Sequence, residues 1–380
     1  MKQRSLKKRL VALVTTVLTL VMCMAGTMSA SAANTPATGG TTTFKKYLVM
    51  DANANVPNVT FNFSITPGKA VAASGSNPAI YAGNDSHVTG TPTVGDAAFT
   101  TSHSTTNGLP TDQDDVTAGK KYAAQEVTVD FSGVTFSAPG IYRYIITESA
   151  TSQDGIHNDA SNTRTLDVFV EYADAVNSGR LQISKYALQD GDSTDPKATK
   201  STGFTNTYTT NNLILEKQVT GNQGNRDKYF EFTVTISNAV PGTVYDVDLT
   251  GASWNSTPAN PAKLTVESTG TVSGKFYLND DDKIIIQGMT SDTEYTIEEA
   301  DYTTDGYSTS YVLDSSTSTT SNIISAQTMG DNDHTVIFTN DKQGTVPTGI
   351  LLETAPYIIL GVVVLAGFVV LFATRRRRSR

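Results

Sequence analysis

The sequence predicts an all-β protein made of two tandem sandwich-like domains. Hydrophobic residues recur with a period of two, as in 127–131 and 230–234, which is the pattern of half-buried strands. Clusters of Gly, Ser, Thr and Asn separate these runs, as they do in β-sandwiches. Similar segments occur twice in the same order, and this repetition indicates two domains.

The N-terminus predicts a secretory signal peptide over residues 1–32. Five basic residues precede an apolar run from Leu10 to about Ala25, and small residues follow it. Ala30-Ser31-Ala32 fits the A-x-A cleavage rule, so cleavage is expected after Ala32, with 33–40 as a linker. The alternative is an uncleaved N-terminal membrane anchor.

The C-terminus predicts a membrane span over 355–373 and a basic cytoplasmic tail over 374–380. The span is almost wholly apolar and long enough to cross a bilayer. A basic cluster directly after a last span stays in the cytoplasm. These features predict a chain that lies mainly outside the cell and is tethered by its C-terminus.

Charge and cysteine content narrow the class of protein. The chain carries a net charge of −9, and the two ends expected to be removed hold ten basic residues and one acid, which leaves the mature part at −18. A mature part with this much negative charge is not expected to bind nucleic acid. Cys23, the only cysteine, leaves with the signal peptide, so covalent cross-links would have to come from other residues.

An internal repeat places the domains at 41–208 and 211–342. Each unit opens with a lysine, continues with a Phe-x-Phe strand and a Tyr-containing strand that ends in Glu, and closes with Phe-Thr-Asn. The lysine is Lys45 or Lys46 in the first unit and Lys217 in the second; the closing segments are 204–206 and 338–340. The polar, Gly/Ser/Thr-rich stretch 68–120 is predicted to form long loops or an insertion.

Strand alternation predicts that the Lys, Glu and Asn of each unit face the core. Lys45 shares a strand face with Tyr47 and Val49, and Glu148 shares one with Tyr144 and Ile146. Burying such charges is costly without partners. Burial favours a neutral lysine and a protonated glutamate. That pair can form an amide with asparagine, because the amine attacks the side-chain carbon while the acid moves protons.

The alternative to a Lys–Asn isopeptide bond is a buried salt bridge beside an ordinary strand-end asparagine. The same order of residues occurs in both halves of a secreted chain whose mature part has no cysteine. This repetition favours the bond.

A short motif before the predicted span, Val346-Pro347-Thr348-Gly349 in segment 345–349, indicates a cell-wall sorting signal. Pro347 keeps the preceding residue extended. An extended segment, a membrane span and a basic tail together form the layout that a sortase recognises. The sortase thiolate would attack the Thr348 carbonyl, Gly349 would leave, and an amine would resolve the acyl-enzyme.

On these residues the chain resembles the major (shaft) pilins of sortase-assembled Gram-positive pili, in their two-domain form. The resemblance covers nearly the whole mature chain and implies immunoglobulin-like (Cna-B-like) β-sandwich domains, each with one intramolecular isopeptide bond. The implied bonding residues, with Glu148 and Glu299 as the catalytic acids, are Lys45, Asn206, Lys217 and Asn340. Lys45 is preferred to Lys46 because its distance to Phe61 matches the family spacing.

The resemblance also implies an acceptor lysine a few residues before Asn206, which would receive the threonine of the neighbouring subunit. Lys200 is preferred, and Lys197, which follows a proline, is the alternative; both could be ordinary solvated lysines. The implied partners are a pilin-class sortase, other copies of the chain, minor pilins, and peptidoglycan through a housekeeping sortase. No cofactor and no nucleic acid are implied.

Two other classes of protein are alternatives to a polymer subunit. A wall-anchored adhesin that never polymerises would need no acceptor lysine. A wall-anchored enzyme would need a catalytic constellation, and the scattered histidines and the Asp190–Asp195 run form neither a Ser-His-Asp pattern nor an EF-hand. No metal site is expected. The Lys/Glu/Asn sets would act once, on their own chain, so the chain is not predicted to be an enzyme.

Overall fold

The computed structural model describes residues 34–110, 119–174, 179–192 and 198–344. Within these ranges the chain consists of strands joined by turns and loops, with one short 3-10 helix at Thr303–Asp305. The predicted all-β fold with two tandem sandwich domains is therefore confirmed. The predicted signal peptide, sorting motif, membrane span and basic tail lie outside the described residues, and no described helix is long and apolar enough to cross a membrane.

The first domain contains sixteen strands, several of them only two or three residues long. They are β1 Ala37–Thr38, β2 Thr41–Asp51, β3 Val59–Phe61, β4 Phe63–Pro67, β5 Ile80–Ala82, β6 Val88–Thr89, β7 Thr93–Val94, β8 Ala97–Phe99, β9 Thr106–Asn107, β10 Lys120–Asp130, β11 Thr135–Phe136, β12 Gly140–Glu148, β13 Ile156–His157, β14 Thr163–Tyr172, β15 Leu181–Asp190 and β16 Gly203–Tyr208.

Two sheets enclose the core of the first domain. One has the order β13-β16-β2-β10-β7, with β9 also paired to β10. The other has the order β15-β14-β12-β4, with β5 also paired to β12. The first and last long strands, β2 and β16, are parallel neighbours. Alternate residues of both sheets pack into one hydrophobic cluster that includes Phe44, Leu48, Tyr144 and Leu166.

The second domain repeats this plan with ten strands. They are β17 Asn211–Thr220, β18 Phe230–Ser237, β19 Val244–Asp248, β20 Lys263–Thr265, β21 Val272–Leu278, β22 Lys283–Met289, β23 Glu294–Glu299, β24 Ser308–Leu313, β25 Ile323–Thr328 and β26 His334–Asp341. The two sheets have the orders β20-β19-β22-β17-β26-β24 and β21-β18-β23-β25. Its first and last strands, β17 and β26, are again parallel neighbours.

The structure differs from two sequence-based predictions about loops. The segment 33–40, expected to be a linker, contains β1, which pairs with β11 and buries Ala37. The polar stretch 68–120 contains the short strands β5 to β9, so its described part is not loop alone. It buries Ile80, Ala97 and Phe99. These few apolar side chains anchor it to the sandwich, although its composition is that of a loop.

The two domains meet at a polar joint. Only two residues separate the end of β16 from the start of β17. Asn55 of the first domain donates to Asp246 Oδ2 of the second at 2.8 Å. Asp154 accepts hydrogen bonds from Ser291 Oγ and from the backbone N–H of Asp292, each at 2.7 Å.

Candidate functional site: a buried Lys/Glu/Asn set in each domain

The first-domain set consists of Lys46, Glu148 and Asn206. Lys46 Nζ lies 2.6 Å from Asn206 Oδ1 and 2.7 and 2.8 Å from the two carboxylate oxygens of Glu148. Asn206 Nδ2 donates to Glu148 Oε1 at 2.7 Å. All three side chains are buried. The carboxyl of Glu148 therefore touches both the amine that would attack and the amide nitrogen that would leave.

The prediction that Lys45 is the bonding lysine of the first domain was wrong by one residue. Lys45 is exposed, whereas Lys46 is completely buried and lies on the same strand face as the core residues Phe44 and Leu48. Lys45 was preferred on the family spacing to Phe61, and alternation did not oppose that choice because Tyr47 and Val49, on the Lys45 face, are buried as well. In a strand covered on both sides, the sequence shows little contrast between the two faces.

Burial sets the protonation of the Lys46 amine. Removal from water lowers the pKa of Lys46 to about 8, although the nearby Glu148 carboxylate opposes the shift. The Nζ atom also lies 4.4 Å from the centre of the Phe61 ring. An amine with this pKa exchanges its proton with a neighbouring carboxylate far more readily than an exposed lysine does.

The second-domain set, Lys217, Glu299 and Asn340, has the same composition but a looser geometry. Lys217 Nζ lies 2.8 Å from Asn340 Oδ1 and 3.4 Å from Glu299 Oε1. All three side chains are completely buried. Among the described residues, no hydrogen bond of ordinary geometry reaches the carboxyl oxygens of Glu299 or Nδ2 of Asn340.

The protonation of the second set follows from the same physics. Burial lowers the pKa of Lys217 to about 8, and Glu299 and Asp280 oppose the shift. Burial raises the pKa of Glu299, and the neighbouring Lys217, Thr309 and Asn340 only partly offset it. These directions favour a neutral amine beside a protonated acid, which is the state that amide formation requires.

The same strand register builds both sets. Lys46 pairs with Phe204 and Lys217 pairs with Phe338, each two residues before the bonding asparagine. Glu148 pairs with Phe63, and Glu299 pairs with Phe232, the second Phe of each Phe-x-Phe strand. The first Phe of that strand covers the lysine in each domain, with Lys217 Nζ 4.4 Å from the centre of the Phe230 ring.

One contact in the first domain was not expected from the sequence. The backbone N–H of Asp159 donates to Asn206 Oδ1 at 2.9 Å. A backbone donor leaves no signature in residue type, so the sequence offered no signal for it. The carboxylate of Asp159 accepts from Arg164 at 2.8 Å, and this contact helps to order the segment.

The predicted acceptor Lys200 is exposed and lies next to the edge strand β15, where it pairs with Gln189. Partial burial lowers its pKa; Asp167 opposes this shift, and Lys185 and Arg143 add to it. The alternative, Lys197, lies outside the described residues, as does the whole sorting motif 346–349. The described residues contain no cluster of His, Cys, Asp and Glu that could hold a metal ion.

Each half of the chain matches a known family model. A family model described as a Spy0128-like isopeptide containing domain matches residues 42–209, and a model described as a domain of unknown function matches 211–342. A curated protein from Streptococcus pyogenes serotype M1, named Pilin, is 26% identical over 338 residues. The alignment covers 86% of this chain and 88% of that protein.

Solved structures share the fold. The crystal structure of the major pilin from Streptococcus pyogenes aligns with a TM-score of 0.53 at 24% identity, covering 80% of this chain and 99% of that one. The major pilin T3.2 from serotype GAS13637 of the same species aligns with a TM-score of 0.52 at 20% identity, covering 80% and 100%. At these identities the likeness establishes the fold alone.

Proposed function

We propose that this chain, whose residues 42–209 belong to the family of Spy0128-like isopeptide containing domains, is the shaft subunit of a covalently polymerised surface pilus. The observation that carries the proposal is the buried Lys/Glu/Asn set in each of two tandem domains. A covalent link that closes each domain would resist unfolding in a subunit that bears tension along a fibre. The relative named Pilin and the major-pilin folds support this assignment.

The proposed chemistry in the first domain forms one amide and releases one ammonia. The neutral amine of Lys46 attacks Cγ of Asn206, so that the Nζ–Cγ bond forms and negative charge moves onto Oδ1. Glu148 contacts both nitrogens, so it can take a proton from Nζ and give one to Nδ2. The Cγ–Nδ2 bond then breaks and ammonia leaves.

The second domain would perform the same reaction with Lys217, Glu299 and Asn340. The acid begins protonated because burial raises the pKa of Glu299. It can polarise the amide before the attack and return to the protonated state as ammonia leaves. Each set turns over once on its own chain, so the protein modifies itself and is not proposed to act on an external substrate.

The position of each bond suits a load-bearing fibre. Each links the first long strand of its domain to the last, across 160 residues in the first domain and 123 in the second. Force that enters at the C-terminal end of β26 would pass through the Lys217–Asn340 link. The Lys46–Asn206 link would tie β16 to β2 beside Lys200, where the force would leave the first domain. Neither sandwich would then have to unfold under tension.

We further propose that a pilin-class sortase joins the subunits. It would cleave between Thr348 and Gly349 and transfer the Thr348 acyl group to Lys200 of another copy of the chain. The exposure of Lys200 and the lowered pKa of its amine support this choice, because the free amine is the nucleophile that resolves the acyl-enzyme. Minor pilins would join the same fibre, and a housekeeping sortase would link its base to peptidoglycan.

Tandem mass spectrometry of digested native fibres tests the proposal. A peptide that joins Thr348 to Lys200 is the expected product, and Lys200→Ala should abolish the ladder of high-mass species. Lys45→Ala, which removes another exposed lysine of the same domain, should leave the ladder unchanged. Polymer that is lost only with Lys197→Ala would move the linkage to Lys197. Wall-linked monomer without any ladder would favour the non-polymerising adhesin.

A further inference from the structure

The carbonyl oxygen that would carry charge during isopeptide formation has a second donor in the first domain. Asn206 Oδ1 accepts from the backbone N–H of Asp159 at 2.9 Å and lies 2.6 Å from Lys46 Nζ. Amine attack turns this oxygen into an oxyanion. A fixed N–H that points at the oxygen stabilises that charge more than it stabilises the neutral amide.

The side chain of Asp159 holds this N–H in place. Its Oδ2 accepts from the backbone N–H of Thr205 at 2.8 Å, and its Oδ1 accepts from the backbone N–H of Ser161 at 2.9 Å. Thr205 is the residue directly before Asn206. The segment that carries the donor is therefore tied to the backbone of the strand that carries the reacting amide.

Arg164 also connects the segment that contains Asp159 to β16. Its guanidinium donates to Asp159 Oδ2 at 2.8 Å, to Ser161 O at 2.7 Å and to Gly203 O at 2.8 Å. It lies 4.4 Å from the centre of the Phe204 ring, and its side chain is 7% exposed. A buried guanidinium with several fixed acceptors is well suited to hold two backbone segments in register.

The second domain lacks this arrangement in the part that the structure describes. Asn340 Oδ1 accepts from Lys217 Nζ at 2.8 Å, and no described backbone N–H donates to it. The strand beside Asn340 is β24, which places Thr309 opposite it. The repeat thus duplicates the reacting residues and leaves out the backbone donor.

We propose that the Asp159 backbone N–H is an oxyanion donor for Lys46–Asn206 bond formation and that Arg164 is its positioning residue. The inference rests on the proposed isopeptide chemistry. The balance of that reaction is unchanged: the Nζ–Cγ bond forms, the Cγ–Nδ2 bond breaks, and one proton from Nζ passes through Glu148 to Nδ2 and leaves with ammonia. The donor lowers the barrier and is not consumed.

The expected effect is on rate. Removing one oxyanion donor from an enzyme typically slows the reaction by about 10²–10³-fold. The Asp159 segment is partly exposed, so we expect at least about tenfold slower bond formation without the N–H. The second-domain bond should be unaffected, and this gives an internal reference in every chain.

The test follows bond formation in newly made full-length mature chains. Cell-free synthesis gives a short pulse of protein, aliquots are quenched in acid and denaturant, and cross-linked peptides from each domain are quantified by mass spectrometry. Pulse proteolysis of parallel aliquots reports folding of the first domain. Asp159→Pro removes the N–H together with the carboxylate. Asp159→Ala removes the carboxylate but keeps the N–H, so the difference between the two variants isolates the donor.

Folded Asp159→Pro chains should form the first-domain bond at least about tenfold more slowly than wild type, and more slowly than Asp159→Ala, which keeps the donor. Arg164→Ala should slow the first-domain bond by a smaller factor. If Asp159→Pro does not fold, an amide-to-ester replacement at the 158–159 linkage removes the same N–H and keeps the side chain.

An unchanged first-domain rate in a folded chain that lacks the N–H would overturn the inference and leave the isopeptide proposal intact. Failure of the proposed function has a different signature, because wild-type chains would then form no cross-linked peptide in either domain.

Discussion

Lys46 pairs with Phe204 across the parallel β2–β16 contact, yet its Nζ lies 2.6 Å from Oδ1 of Asn206, two residues farther along β16. Lys217 has the same relation to Asn340 in the second domain. Two residues of strand span about 6.6 Å, a length that an extended lysine side chain can bridge. The repeated offset explains why a lysine, with its long side chain, stands at this position in each domain.

The mass of the mature soluble region should fall short of its sequence mass by two molecules of ammonia. Lys46→Ala and Lys217→Ala should each restore one, because each removes the attacking amine of one domain. Lys45→Ala is the matched control and should restore none, since Lys45 is exposed and away from the site. Intact-mass spectrometry measures all four proteins.

A Lys45→Ala protein that regained one ammonia would return the first bond to Lys45. An unshifted wild-type mass would show that the buried sets are salt bridges only.

Bond formation in the second domain should depend on pH through the single proton that Lys217 and Glu299 share. The active state has a neutral amine and a protonated acid, which together hold one proton. The rate should fall as pH rises above about 8, because the pKa of Lys217 is about 8 and the pair then loses that proton. On the acid side the rate should fall at a higher pH than for an ordinary glutamate, because the pKa of Glu299 is raised.

Cross-link yields from cell-free synthesis at a series of pH values give this profile for the second domain. A second-domain rate that keeps increasing well above pH 8 would mean that the acid acts only as a base and that its proton is not needed.

Two ways of removing the second-domain bond should differ in stability. Each loses the cross-link, which closes a loop of 123 residues and should add about 5 kcal/mol by restricting the unfolded chain. Asn340→Ala also keeps the buried Lys217–Glu299 pair, whereas Lys217→Met replaces the charge with an apolar side chain of similar length. We expect Lys217→Met Glu299→Gln, which replaces both charges, to be about 1–4 kcal/mol more stable than Asn340→Ala. Lys217→Met alone leaves the buried Glu299 without its cation and should be less stable than that double variant.

Urea unfolding of Asn340→Ala, Lys217→Met and the double variant measures these differences. Equal stabilities would indicate that the unbonded lysine and glutamate are not desolvated as the structure has them.

The joint between the domains should loosen when Asp154 is changed. Burial alone would raise the pKa of Asp154, but hydrogen bonds from Thr290, Ser291 and Asp292 hold it below its ordinary value. A depressed carboxyl pKa stabilises the contact at neutral pH, and that contribution is lost as pH falls through the folded-state pKa. Asp154→Ala should therefore widen the distribution of interdomain distances at neutral pH.

Spin labels placed in each domain report that distribution by double electron–electron resonance. Asp292→Ala is the control, because Asp292 contributes its backbone N–H to the contact with Asp154 and keeps it in the variant. Equal distributions for Asp154→Ala and wild type would show that the other joint contacts, such as Asn55 with Asp246, are sufficient.

Residue patterns alone were sufficient to predict the fold class. Period-two runs and a repeated Lys, Glu, Asn order were enough to predict two all-β domains, because a repeat records which residues recur at equivalent positions of a fold. The residues predicted for the second set, Lys217, Glu299 and Asn340, lie together in the core. Strand alternation around Lys217 shows clear contrast between apolar and polar faces.

Tertiary contacts were needed to identify the lysine that enters the first site and the other groups that touch the amide. Every residue from Phe44 to Met50 except Lys45 is buried, including Tyr47 and Val49 on the Lys45 face, so alternation could not distinguish Lys45 from Lys46. The Asp159 N–H reaches Asn206 because β13 pairs with the end of β16 and the chain then passes the amide. A backbone group has the same chemistry in every residue except proline, and its position is therefore a property of the fold.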